Sequence, residues 1–170
     1  MKRLLFSLLL TLNFACDDGD LQIETLDFDN STIQVCEPVA VDVANVMFKL
    51  NSTEALILEL PSGTIKNEVT SERLESSVGA SGPSKVTYRT FSDNVSNSYF
   101  CSEIPLTTPT VVDEVIAQGG KVFITSVLSA DGNSYEHTIE LSEISLVTSE
   151  DNRITDLSIN NFGKVSTTVQ

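Results

Sequence analysis

Tryptophan is absent from the 170 residues, histidine occurs once, tyrosine three times, and ten basic side chains face 24 acidic ones. Each shortage closes off a class of function. A formal charge of -14 repels polyphosphate backbones, which are bound chiefly through Lys and Arg, so nucleic acid is excluded as a partner. With no tryptophan and little tyrosine there are few rings on which sugars could stack, which argues against a glycan cleft. A single histidine leaves histidine-rich metal sites and most general-base chemistry without their usual groups. Walker A, HExxH, GxGxxG, GxSxG and EF-hand patterns do not occur. A 20 to 50-residue repeat is missing too, so solenoids and propellers fall away.

What remains is ordinary globular composition, 41% apolar and 20% charged, at a length that suits one domain. The first residues stand apart. Lys2 and Arg3 precede an apolar run from Leu4 to Leu12, followed by Asn13, Phe14, Ala15 and Cys16. A membrane-spanning helix needs about 20 apolar residues, and this run is roughly half that. Its order of positive, apolar and small residues is that of a signal peptide covering residues 1–15. An ordinary secretory cut after Ala15 would put Asn13 where a small residue is preferred, which turns attention to Cys16.

The stretch Leu12-Asn13-Phe14-Ala15-Cys16 resembles a bacterial lipobox, with Ala15 and Cys16 carrying the match and Asn13 and Phe14 departing from the usual pattern. The resemblance implies that Cys16 is acylated on sulfur and becomes the first mature residue. Two or three acyl chains, at about 0.8 kcal/mol per buried CH₂, hold a domain stably on a membrane. Asp17, Asp18 and Asp20 follow directly and are similar to the acidic export signal of surface lipoproteins in the Bacteroidota. That likeness implies an outer-membrane, lipid-anchored, surface-exposed protein, with residues 16–20 as lipidated Cys and acidic tether. On charge alone, a solvated tether explains the aspartates equally well. Losing Lys2 and Arg3 with the leader would take the formal charge from -14 to -16.

Cys36 and Cys101 are then an even pair in an exported chain, and a disulfide between them is expected, with two buried free thiols as the alternative. Closing a loop of about 65 residues stabilises a fold by roughly 4 kcal/mol in the chain-entropy model.

From residue 21 onward, alternation and β-branched residues dominate. Residues 21–28 start a first strand. Residues 46–50 and 55–60 read as a hairpin about Asn51-Ser52-Thr53. Residues 70–84 are turn formers without an apolar face and read as a long loop. Residues 85–91 and 97–104 read as a second hairpin about Asp93-Asn94. Thr110 with Asp113, the side shared by Val111, Val112, Val115 and Ile116, and Gly119-Gly120 beyond them predict a short helix near 110–118, against a strand as the alternative. Asp131-Gly132-Asn133 joins strands at 121–128 and 135–147, and shorter strands follow at 154–159 and 164–169. Residues 21–170 are therefore expected to form one all-β domain, an antiparallel β-sandwich (Ig-like or related) with one short helix.

Chemistry is sparse. His137 shares the apolar face of Tyr135, Ile139 and Leu141, which suits a hydrogen-bonded core histidine better than a catalytic base or ligand. No catalytic or metal residue is assigned. Calcium is the one cofactor with candidate ligands, Asp27, Asp29 and Asn30 or Asp131 and Asn133, and turn chemistry accounts better for both groups. The expected function is a noncatalytic surface module, attached to the membrane by its lipid, that binds an envelope protein or an extracellular ligand. A structural subunit of an outer-membrane complex and a carboxylate-based hydrolase are the alternatives.

Overall fold

A strand-forming sequence becomes a strand when another strand takes up its backbone hydrogen bonds. The computed structural model describes residues 26–28, 30–148, 153–154 and 161–169. Strands β1 (Asn45–Asn51) and β2 (Glu54–Leu60) form the expected hairpin, with Asn51 opposite Glu54 and Ser52 in left-handed geometry at φ 49°. Then come β3 (Leu74–Ser77), β4 (Lys85–Phe91), α1 (Asn97–Cys101), β5 (Val111–Leu128), β6 (Ser134–Val147), β7 (Arg153–Ile154) and β8 (Asn161–Thr168). The strands pair antiparallel in the order β1-β2-β4-β5-β6-β7, with β3 added beside β5 and β8 beside β6. The result is an all-β antiparallel sheet that curls into a half-barrel.

The helix expected near 110–118 is instead the first part of β5, whose 18 residues make it the longest described element. Two features decide this. Residues 111–116 are rich in Val and Ile and find β4 alongside, Ile116 opposite Thr87 and Glu114 opposite Arg89. The presumed cap is also spent elsewhere, because the Thr110 hydroxyl donates to Ser92 Oγ at 3.1 Å. Gly119-Gly120 makes a bulge rather than a helix stop: the β5–β6 register shifts between Ala117, Gly119 and Lys121. Beyond the bulge β5 pairs with β6 on one side and β3 on the other, so one strand serves both halves of the sheet.

Both halves face one core. Met47, Leu56 and Leu58 from one side meet Ile124, Ile139, Leu141 and Phe162 from the other, with Leu26 and Phe28 from the first described segment among them. Residues 31–35 lie across the mouth of the half-barrel. Gln34 exchanges two backbone hydrogen bonds with Phe48 of β1, at 2.8 and 2.9 Å, while Ile33 packs against Gly163 of β8. A second, smaller core lies under α1, where Phe100 stacks on Phe48 with ring centroids 4.5 Å apart and Tyr99 meets Phe91 edge-on.

Three further expectations are corrected. Residues 97–104 are not a strand; α1 occupies the first part and places Tyr99 and Phe100 over the sheet. Residues 70–84 are not all loop, since β3 pairs with Lys121–Ile124 through its backbone, and Ser76 finds Ser84 Oγ at 2.6 Å. The terminal strand starts at Asn161, ahead of the expected Lys164. Of the strand expected at 154–159, Ile154 is described in β7 and 155–160 lie outside the described residues; of the first expected strand, 21–25 lie outside them and 26–28 are not in a strand, Leu26 and Phe28 entering the core from an irregular segment.

Two stability outcomes follow. Gly120 has φ 131°, and a Cβ there would sit 3.0 Å from both Ser142 O and the Ile144 Cα, whereas a Cβ at Gly119 meets nothing within 4 Å. Gly120→Ala is expected to cost about 1–3 kcal/mol in urea unfolding, and Gly119→Ala to stay within about 1 kcal/mol of the parent; equal losses would contradict the bulge. Replacing Cys36 and Cys101 together by Ala is expected to lower the unfolding free energy by about 2–4 kcal/mol.

Candidate functional site

Of the residues singled out from sequence, Cys16, Asp17, Asp18 and Asp20 lie outside the described residues. Cys36 and Cys101 form a disulfide with Cα atoms 5.1 Å apart. Cys36 follows the backbone bridge between Gln34 and β1, and Cys101 ends α1, so the bond ties the helix over the smaller core to the segment across the mouth.

His137 is wholly enclosed, at 0 % exposure, as is its neighbour Ser126. Its two ring nitrogens lie 2.7 Å from Ser126 Oγ on β5 and 2.8 Å from Thr167 Oγ1 on β8. The proton positions follow from the far end of the chain of bonds. Asn67 Nδ2 donates to the Thr168 carbonyl at 2.8 Å, which turns its Oδ1 toward Thr167, and the Thr167 hydroxyl donates to that oxygen. Nε2 of His137 therefore carries the hydrogen and Nδ1 accepts from Ser126. Thr70 holds the Ser126 backbone from the same loop, accepting from its N–H at 2.9 Å and donating to its carbonyl at 3.1 Å. Serine and histidine at this distance have the spacing of a nucleophile and its base, but no substrate can reach a pair without solvent access, and neither nitrogen meets a carboxylate to orient it. The network is a clasp joining β5, β6, β8 and the 67–70 loop. Burial depresses the imidazole's proton affinity below the ordinary 6.5.

Of the calcium candidates, Asp131 and Asn133 are taken up by a turn. Asp131 accepts from Ser129 Oγ at 2.5 Å and from the Asn133 backbone at 3.1 Å, and these bonds hold its carboxyl below the usual range. Asp27 lends its carbonyl to Asn51 Nδ2, at 2.9 Å, and Asp29 lies outside the described residues. Among the described residues no three His, Cys, Asp or Glu side chains converge as a metal site would require.

One concavity combines charge with an aromatic floor. On the outer face of the sheet Arg73 lies over the Phe123 ring, 3.6 Å from its centroid, and Lys121 pairs with Glu75 at 2.8 Å. Glu140, Ser142 and Glu143 complete a dish of about 350 Å³. The hydrogen bond to Glu75 raises the Lys121 ammonium above its ordinary range. Glu143 has φ 54°, a left-handed conformation that a non-glycine residue adopts only under constraint from the bulge beside it. Comparison with protein-family models, curated proteins and solved structures finds no match. The dish is thus judged on its chemistry alone. Opposed charges around a ring can hold a polar or zwitterionic ligand, whereas glycoside hydrolysis works between two carboxyl groups in a water-excluding cleft, and Glu143 is exposed. Arg73, Lys121, Phe123 and Glu143 were not singled out from sequence; they come from β5, β6 and the loop before β3, beside the bulge.

The clasp sets a pH dependence. The unfolded chain takes up a proton at His137 below about pH 6.5 while the folded protein resists it, so this contribution is complete above that pH and is lost as pH falls. Between pH 6.5 and 5.5 the protein is expected to lose up to about 1 kcal/mol more than a His137→Gln variant. Parallel urea-unfolding curves for the two proteins across that range would show that the histidine is not held neutral.

Proposed function

We propose that the chain is a lipid-anchored, noncatalytic binding module of the cell envelope, delivered by residues 1–15 and held at the outer membrane through Cys16. The observation that carries the reading is the Cys36–Cys101 bond, because disulfides persist in the oxidising compartments to which a signal peptide delivers a chain. Absence of reactive access supports the noncatalytic half: the lone histidine is enclosed and its hydrogen bonds are all structural. The strong negative charge suits a solvated surface protein and opposes nucleic-acid partners.

In this reading the curled sheet is a distorted sandwich of Ig-like kind. Support comes from the shared core between the two halves and from β5, which crosses from one to the other at a bulge in the way corner strands do. A carboxylate hydrolase is the second reading, favoured by one observation, that Glu140 and Glu143 line the same dish. Double replacement of these two by Gln would abolish such an activity and leave a binding module's stability intact.

Metabolic labelling with a fatty-acid probe tests the anchor. Native protein is expected to take up label and Cys16→Ala to lose it, and protease added to intact cells should remove the domain. Label retained in the variant refutes the anchor, and resistance of the native domain to protease refutes surface exposure.

A further inference from the structure

We infer that the free edge of β5 between Val111 and Ile116 receives a strand from another protein, an extended segment alternating apolar and basic side chains. This deepens the binding-module reading and rests on it, but is independent of the anchor.

The edge is defined by register. Among the described residues, β5 pairs along 111–116 with β4 on one side only, and its pairing with β6 on the other begins at Ala117. Among the described residues no strand occupies the remaining edge. Residues 111–114 are exposed in succession, where a half-buried strand would alternate, so both faces are open as well as the edge. Natural sheets blunt such edges with charge, and Asp113 and Glu114 do part of this. Yet Val112 is 68 % exposed and Ile116 48 %, with Val111 half-exposed between them and the connection that carries Ile104 and Leu106, both exposed too. Five large apolar side chains in thirteen residues exceed what blunting explains, and an added strand would cover those on the β5 edge.

Charge selects the occupant. A second copy pairing antiparallel through this edge brings side chains of the same face together, so near the centre of the segment it would set Asp113 against Asp113 of its mate, or Glu114 against Glu114, like charges directly opposed, between chains of formal charge -14. Glu114 is already matched by Arg89 on β4, whereas Asp113 has no ion-pair partner among the described residues. Val115 faces the core, so alternation sets Asp113 on its side of the strand and Glu114 and Ile116 on the other. A segment carrying Lys or Arg opposite Asp113 and apolar side chains beside Ile116 satisfies both faces, while its backbone completes the ladder.

The test uses the full-length protein in detergent with a fluorescent, acetylated lysine-valine alternating hexapeptide. A second peptide of the same sequence, N-methylated at every residue, keeps the charge but cannot form a ladder. Saturable binding is expected, with slowed amide exchange confined to 111–116. The N-methylated peptide and the Asp113→Lys variant should each weaken it by about tenfold or more, and Asp42→Lys, an equal change of net charge at another exposed site, should not. Absence of binding, equal binding of the N-methylated peptide, equal weakening by Asp42→Lys, or exchange unchanged at 111–116 would each overturn the inference. Fatty-acid labelling of Cys16 is unaffected by any of these outcomes, so the two proposals fail separately.

Discussion

Everything in the fold is referred to one strand that changes partners half-way along. The first part of β5 completes the sheet of β1, β2 and β4, and the second part founds the sheet of β3, β6, β7 and β8. A flat ladder of this length would leave both inner faces in water. The Gly119-Gly120 bulge bends it, and the bend turns Leu56 and Leu58 toward Ile139 and Leu141. Hydrophobic burial, at about 25 cal/mol per Å² removed from water, is thereby shared between the halves rather than confined to either. The strained φ of Glu143 follows from the same bend on the opposing strand, and so does the charged dish beside it.

Around this frame the peripheral segments are fixed by polar and covalent means, where apolar area is small. Cys36–Cys101 fastens α1, and Asn67 reaches Thr167 across a sequence separation of 100 residues to complete the His137 clasp. Lys49 shows the same economy. It is buried with its Nζ donating to the Phe28 carbonyl at 2.9 Å and lies 5.9 Å from the Phe162 ring, so a backbone carbonyl and an aromatic ring are among the partners of its charge.

How much of this could be read from the residues depends on whether the deciding contact was local. Asp131-Gly132-Asn133 announced its hairpin because Gly132, at φ 73°, and the Asp131 side chain settle the turn within a few residues. The spacing of Val111, Val112, Val115 and Ile116 fits a helical face and a strand equally, and only β4, well separated along the chain, decides between them. Leu74-Glu75-Ser76-Ser77 gives the core only Leu74, too little apolar pattern to signal a strand, and its place is set by backbone pairing with β5. His137 could be placed in the core from its neighbours two residues away; Ser126, Thr167 and Asn67 could not be named as its partners. The dish was illegible, since a bulge in one hairpin assembled it from positions with no common motif, and the lipidation residues lie outside the described part.

The proposed binding role places recognition on edges and loops mounted on a single cooperative body. Native-state hydrogen exchange measures that cooperativity directly. Amides in β2 at 56–58, in β5 at 122–124 and in β6 at 139–141 are expected to exchange with one common free energy, equal to that of global unfolding. A lower common value for β1, β2 and β4, with β5 beyond the bulge and β6 still protected, would show two independent halves and contradict the role assigned to β5.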